Sequence, residues 1–313
     1  MEVFSGHRAL LRPLVRPAVA IGNFDGVHLG HQRLLDEAVA AAGTLGGDAV
    51  AYTFDPHPAR VLNPTLAPAL ICSLERRLEL IAARGITATV VEPFDRAFAA
   101  TTPEQFLGDV LARTLGAACI VVGWDFTYGA RRGGTTDSLR AYGAAHGIDV
   151  RIIEPVTVDG IVAASTRVRN FVAAGNLAGA RLLLGRDFDV DGTVVRGAGR
   201  GRTIGIPTAN LRHAAELLPP PGVYAVRARV VDGDRPDQVL LGAANLGTNP
   251  TFVKEGELSL EVHILDHDAD LYDRRLRVSF VERLRGERRF DGPAALVAQI
   301  QADIAQARAI LRD

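Results

Sequence analysis

Two histidines three positions apart, His28 and His31, bracket Gly30 in the run Ile21-Gly22-Asn23-Phe24-Asp25-Gly26-Val27-His28-Leu29-Gly30-His31. Ala18 to Ile21 before it is apolar, as a buried strand would be. Arg33 to Ala42 after it has the Ala/Leu content of a helix, with Gly43 as its stop. Strand, glycine-bearing loop and helix N-terminus thus follow in order. That order leaves unpaired backbone N–H groups and the positive end of a helix dipole at one spot, which suits a phosphate. A side chain at position 30 would block close backbone approach there. A metal pair is the competing reading of the histidines, but no cysteine or carboxylate spacing nearby completes a ligand set.

A second phosphate candidate is Gly197-Ala198-Gly199-Arg200-Gly201-Arg202-Thr203-Ile204-Gly205-Ile206-Pro207-Thr208-Ala209-Asn210. By composition alone it could be a flexible hairpin loop, and neither the dinucleotide fingerprint nor Walker A fits it. Dense glycine lets backbone fold round phosphate oxygens, while Arg200 and Arg202 supply charge. Thr208 and Asn210 then offer hard oxygen donors, suited to Mg²⁺ beside nucleotide phosphates. The single lysine, Lys254, follows Val253 rather than a glycine, which excludes a P-loop kinase.

The elements that must position these residues fall into two groups. With 313 residues, two domains are expected, divided near Asp187 into 1–186 and 187–313. The first group alternates strand candidates (Val19–Gly22, Ala49–Phe54, Thr87–Val91, Cys119–Val122, Val150–Glu154) with helix candidates (Gln32–Ala42, Ser73–Ala83, Pro103–Leu115, Thr136–His146). This is the pattern of an α/β domain with a parallel sheet covered on both faces, whose ligands bind beyond the C-terminal strand ends. Asp55 and His57 in Thr53-Phe54-Asp55-Pro56-His57-Pro58 follow one such strand; Asp125 in Val122-Gly123-Trp124-Asp125-Phe126 follows another. Ala130 to Thr135, rich in Arg and Gly, reads as a mobile loop. Ser165 reads as the N-cap of a helix Thr166–Ala174, and a helical linker continues to Leu184.

Beyond Asp187 the runs Asp189–Val195, Gly222–Val231 and Gln238–Ala244 are short and β-rich, separated by turn signals, as in an antiparallel barrel. In Leu260-Glu261-Val262-His263-Ile264 the alternation sends Glu261 to the polar face. A terminal helix starts at Pro293 with Leu296, Ile300, Ile304 and Leu311 on one stripe.

Composition narrows the function classes. A 48% hydrophobic and 23% charged chain can bury real cores, and a net charge of −1 gives no electrostatic case for nucleic acid or anionic membrane. Cys72 and Cys119 sit among apolar residues without ligand spacing, as buried thiols in a reducing compartment would. Met1 to Arg16 lacks an apolar signal core and no run approaches spanning length, so a cytoplasmic protein without a membrane partner is expected. Oligomeric state is not encoded in any of these features.

The first motif resembles the nucleotidylyltransferase signature. Its longer Gly-Asn-Phe-Asp-Gly-Val-His-x-Gly-His form resembles the prokaryotic bifunctional riboflavin kinase/FAD synthetases, and the second run is similar to the riboflavin kinase signature of that family. Pro221–Ala225, Asn245–Phe252 and Leu260–Asp266 match further kinase-barrel segments. The departures are Tyr128 for a phenylalanine and Ala164 for the first serine of Ser-Ser-Thr-x-Ile/Val-Arg.

The resemblance implies an N-terminal Rossmann-like nucleotidylyltransferase domain and a C-terminal riboflavin kinase barrel. Riboflavin would be phosphorylated by ATP to FMN, and FMN adenylylated by ATP to FAD, with Mg²⁺ assisting. His28, His31 and Arg169, with Ser165 and Thr166, would clamp ATP phosphates. Gly22, Asn23, Phe24, Asp25, Gly26, Gly30 and Asp125 would bind nucleotide, and Asp55 and His57 would lie on the flavin side. In the barrel, Glu261 would be the base; Gly199, Arg200, Gly201, Arg202, Thr203 and Gly205 would hold nucleotide. Thr208 and Asn210 would hold the metal, and Arg285, Glu287 and Phe290 would lie near flavin. Two alternatives differ in class: a riboflavin kinase with an impaired adenylyltransferase half, hinted at by Ala164, and a non-catalytic flavin- and nucleotide-binding regulator.

Overall fold

A computed structural model describes residues 1–197, 199, 201, 204–233, 238–247, 258–267 and 270–312. The chain divides into two compact units, Met1–Ser165 and Thr166–Asp313.

The first unit is a six-stranded sheet in the order β1-β4-β3-β2-β5-β6. Its strands are β1 (Glu2–Ser5), β2 (Ala18–Ile21), β3 (Ala49–Asp55), β4 (Ala88–Pro93), β5 (Cys119–Gly123) and β6 (Asp149–Ile153). Every pairing is parallel. All four residues of β2 are buried, as a central strand covered on both faces requires. From β2 the chain moves outward through β3 and β4, then returns to β5 on the other side of β2. That reversal opens a crevice at the C-terminal ends of β2 and β5, the usual ligand position in such sheets.

One face of the sheet is covered by α1 (Leu29–Leu45), which buries Leu34, Leu35, Ala38 and Ala41. After β3 come α2 (Pro58–Leu62) and α3 (Leu74–Ala82), the latter capped by Ser73. The helix expected over Pro103–Leu115 is two pieces. After α4 (Arg96–Ala99), a capping box of Thr102 and Gln105 starts the short α5 (Pro103–Gln105). The chain then widens into a π-helix over Phe106–Thr114, where Thr114 Oγ1 donates to the Asp109 carbonyl at 2.6 Å. α6 (Thr136–His146) has the expected bounds, and a small hairpin of β7 (Thr157–Val158) and β8 (Ile161–Val162) ends the unit. The Arg/Gly segment after β5, expected as a mobile loop, forms a 3₁₀ turn over Ala130–Arg132.

α7 (Ser165–Ala173) begins at Ser165 itself, so Ser165 is the first helical residue rather than its cap. In the second unit α8 (Leu177–Leu184) packs on the barrel strands β9 (Phe188–Val195) and β14 (Arg275–Arg285). The segment 166–186, read from sequence as a linker of the first domain, therefore lies in the same compact unit as the barrel. The barrel is closed in the order β10-β13-β12-β11-β14-β9. Its remaining strands are β10 (Ala209–His213), β11 (Gly222–Val230), β12 (Leu240–Gly247) and β13 (Ser259–Ile264). Tyr224, Val226, Leu246, Leu260, Val262, Leu276 and Val278 fill its interior. α9 (Pro293–Arg312) packs on β11, β12 and β14. Of the expected stripe Leu296 is exposed, while Leu311 is buried and Ile304 packs against the same cluster; Asp303 and Ala307 join the buried face.

Candidate functional sites

In the first unit the loop 22–28 leaves β2 at the crevice and feeds α1. His28 caps the helix, its Nδ1 accepting from the His31 N–H at 3.3 Å. The two imidazoles stack with centroids 3.7 Å apart, and Phe24 meets His31 edge-on at 5.3 Å. A Cβ on Gly30 would stand 3.0 Å from the Ala163 carbonyl and 3.1 Å from the His28 ring. Glycine at position 30 thus allows the packing of helix, histidine and Ala163. Gly22, Asn23 and Gly26 belong to the same loop, Gly26 with φ +75°.

Phe24 and Asp25, expected on nucleotide, are turned inward. Phe24 is fully buried, and the Asp25 carboxylate accepts from the Ile71 N–H at 3.0 Å and the Cys72 N–H at 3.3 Å. They fix the loop against the segment before α3. Ser165 adds a bond from its hydroxyl to the Asp25 carbonyl at 3.3 Å. Asp55 ends β3, and His57 caps α2 through its Nδ1, so both lie at the strand edge where the β2 loop lies. Asp125 is exposed on the loop after β5, across the switch point. Thr166 and Arg169 lie on α7 in the second unit.

Beside β3 and β4 runs a chain of edge-on and tilted rings, Tyr52, Phe54, Phe94, Phe98, Phe106 and Tyr128. Burial, reinforced by the adjacent Glu92 carboxylate, raises the Tyr52 hydroxyl far above the usual phenol range. It therefore donates to Glu92 at 2.7 Å, where His7 also bonds. Sequence reading found none of this buried node, because its members are far apart in the chain. Cys119, buried at the other side of β2, is pushed up to about 12, mainly by burial, and is an inert thiol at neutral pH.

In the barrel the site is a row across neighbouring strands. Glu261 of β13 is in register with Asn210 of β10 on one side and Asn245 of β12 on the other. Leu260 and Val262 point into the barrel, so this row faces outward. Thr208 donates from Oγ1 to Glu261 Oε2 at 3.3 Å, and His263 Nδ1 donates to the Pro207 carbonyl at 2.8 Å. Asn245 and His263 are additions to the expected set; the alternation around Glu261 already put His263 on this face.

Two described glycines of the run lie against the row. A Cβ on Gly197 would sit 2.3 Å from the Asn210 amide, and one on Gly201 would be 2.3 Å from the Ile206 carbonyl and 3.4 Å from Thr208 Oγ1. Gly199 and Gly205 adopt positive φ, +69° and +75°. Arg200, Arg202 and Thr203 lie outside the described residues, as does Thr248–Phe252 of the matching Asn245–Phe252 segment. The donor set suits a hard divalent ion completed by substrate phosphates: a hydroxyl, an amide oxygen and a carboxylate, with backbone folded against them. Among the described residues no group of three or more His, Cys, Asp or Glu forms a metal cluster, so no site is built from those side chains alone.

Of the residues expected near flavin, Arg285 is committed to an ion pair. Its Nε and Nη2 donate to Asp303 of α9 at 3.0 and 2.7 Å, Asp303 being buried and Arg285 partly so, and Gln299 donates to the same carboxylate at 2.9 Å. Phe290 lies under the Arg285 guanidinium, 5.7 Å from charge to ring centre. Glu287 is exposed with its carboxylate against Gly247. Asp303 escapes sequence reading because an acidic residue on a surface helix is normally solvated.

A parallel-sheet crevice with a histidine-capped helix, joined in one chain to a closed barrel bearing a carboxylate among hydroxyl and amide donors, defines a two-module nucleotide-dependent transferase. Comparison with known proteins agrees at the level of each module. The FAD synthetase family model matches residues 6–167, and the riboflavin kinase model matches residues 184–311. The chain is 39% identical over 301 residues to the bifunctional riboflavin kinase/FMN adenylyltransferase of Pseudomonas fluorescens, covering 96% of this chain and 95% of that one. It is 38% identical to the protein of that name from Escherichia coli K12, covering 98% and 97%. A crystal structure described as a macrolide-efflux protein from Streptococcus pneumoniae superposes with TM-score 0.84 at 31% identity over 98% of both chains. Among the described residues, no helix of this chain is long and apolar enough to cross a membrane. The chain belongs to the bifunctional riboflavin kinase/FMN adenylyltransferase family.

Proposed function

We propose that this chain makes FMN and FAD at two separate sites. It is a riboflavin kinase and an FMN adenylyltransferase, with ATP as donor in both reactions; neither a kinase-only protein nor a silent regulator is favoured. The observation carrying the kinase half is the Asn210–Glu261–Asn245 row with Thr208 against the carboxylate. Glu261 takes the proton of the riboflavin 5′-hydroxyl as that oxygen attacks the γ-phosphorus of ATP. Thr208 and Asn210 are the residues that would hold Mg²⁺, which when bound spreads the phosphate charge. The glycine run, including Gly199, Gly201 and Gly205, offers backbone amides to the phosphates, with Arg200, Arg202 and Thr203 assigned by resemblance.

The adenylylation half needs no base, because the FMN phosphate is already an anionic nucleophile. It attacks the α-phosphorus of ATP and pyrophosphate leaves. His28, His31 and the first turn of α1 neutralise and orient the phosphates, with Ser165 as a further donor; Arg169 and Thr166 are assigned to the same reaction by resemblance. Asn23 and Asp125 take the nucleotide at the switch point, and Asp55 and His57 face the flavin. The burial of Phe24 and Asp25 supports a supporting role for them, holding the loop.

Arg285, Glu287 and Phe290 form the flavin side of the kinase site, with Asp303 steadying Arg285. We assign 1–186 to adenylylation and 187–313 to the kinase, and place the protein in the cytoplasm, consistent with its two buried thiols, neither in a disulfide. Incubation with riboflavin, ATP and Mg²⁺ followed by product separation tests the reading. FAD is expected; FMN alone would leave only the kinase, and unchanged riboflavin would refute both halves.

A further inference from the structure

α3 carries a guanidinium that no carboxylate pairs among the described residues. Arg77 is 1% exposed, the largest fully buried side chain of the described residues. Its Nη1 donates to the Asn23 carbonyl at 3.2 Å and the Phe54 carbonyl at 3.0 Å, with Thr53 Oγ1 at 3.5 Å. Thr53 itself donates to the Asn23 carbonyl at 3.1 Å. Nε and Nη2 are buried with no acceptor, and Arg77 forms no ion pair among the described residues. The buried carboxylate of the same loop, Asp25, instead takes the Ile71 and Cys72 N–H groups.

A fully buried, unpaired cation is among the most unfavourable groups a fold can hold, and an apolar side chain of that volume would pack there more cheaply. Binding two carbonyls does not call for a charge, since any neutral donor could do it. What is particular is the place. Asn23 follows β2 and Phe54 is near the end of β3, so Arg77 lies beneath the two loops that rim the crevice. There the reading above collects the triphosphate of ATP and the phosphate of FMN, and a charge in low dielectric acts on such anions with little screening.

We propose that Arg77 is the positioning residue of the adenylyl-transfer site: a desolvated positive charge, wired to the Asn23 and Phe54 carbonyls, that favours the charge building on the departing pyrophosphate. It touches no substrate and acts through the loops it holds and the field it sets. The inference rests on the assignment of this crevice to FMN adenylylation. Because the effect grows as charge moves to the leaving group, it falls on kcat more than on KM.

The test compares Arg77→Gln, which keeps a donor without the charge, with Arg77→Lys, which keeps the charge. FAD formation from supplied FMN and ATP is measured for each, alongside FMN formation from riboflavin and the thermal unfolding midpoint. Arg77→Gln should lose about 10²-fold in kcat, as removal of one electrostatic stabiliser of developing charge costs, with KM for FMN within about threefold of the parent and FMN formation unchanged. Arg77→Lys should recover to within about tenfold of the parent. Several results would overturn the proposal: full activity in Arg77→Gln, equal losses in both variants, or an Arg77→Gln loss accompanied by a lowered unfolding midpoint. Parent protein that makes no FAD from FMN would instead remove the site assignment on which the inference stands.

Discussion

The two halves solve phosphate chemistry with opposite materials. In the first unit the site is made of chain ends: the loop after β2, the loop after β3 and the capped start of α1, all at one edge of a parallel sheet. In the barrel the proposed site is made of strand residues, with Asn210, Glu261 and Asn245 held in register by backbone ladders. The difference follows the reactions. A phosphate nucleophile arrives charged, so the first site needs amides and cations. A hydroxyl must lose a proton, so the second needs a carboxylate held still.

That contrast is broken most directly by removing the proposed base. Glu261→Ala should lower FMN formation by about 10²–10⁴-fold, while FAD formation from supplied FMN stays at the parent rate; equal loss of both would contradict separate sites. The converse is His28→Ala, which removes the helix cap and one imidazole. FAD formation should fall by about 10²–10³-fold with kinase turnover untouched, and a matching fall in FMN formation would count against the division.

The proposed flavin side of the barrel gives a smaller, mixed effect. Asp303→Ala leaves the Arg285 guanidinium half-buried without its partner, and breaking such a pair costs about 3–5 kcal/mol of stability. The barrel should melt earlier and the KM for riboflavin rise, while adenylylation is unchanged. An unaltered KM would separate Asp303 from the site.

The smallest expected effect concerns acid. Burial works to raise Asp191, but the hydrogen bonds and charges of Arg277 and Arg275 prevail and hold it below the usual carboxylate range. Its folded pKa is depressed, so its contribution is complete above about pH 4 and is lost as pH falls further. Asp191→Asn should flatten the acid side of the barrel's unfolding profile; an unchanged slope would rule this pair out as its source.

Much of this arrangement is legible in the residues alone, for identifiable reasons. β2, β3 and β5 are apolar runs buried on both faces, and β13 alternates, so each announces itself within a residue or two of its observed ends. β1 does not, since of its four residues only Phe4 is buried. Likewise β7 and β8 are two residues each, too short for any period. The π-helix at Phe106–Thr114 keeps helical spacing in sequence while changing its hydrogen bonds. At the sites, His28, Gly30, Thr208 and Glu261 stand in patterned motifs. Arg77 and Asp303 do not: helix periodicity sends charged residues to solvent, and only tertiary packing reveals that these two are enclosed.

Mixing the two silent variants tests the independence of the sites most directly. Purified His28→Ala and Glu261→Ala are combined with riboflavin, ATP and Mg²⁺, and flavin products are resolved over time. FMN released by the first variant should be taken up by the second and appear as FAD after a lag. A mixture that halts at FMN, or never leaves riboflavin, would contradict two self-sufficient centres in one chain.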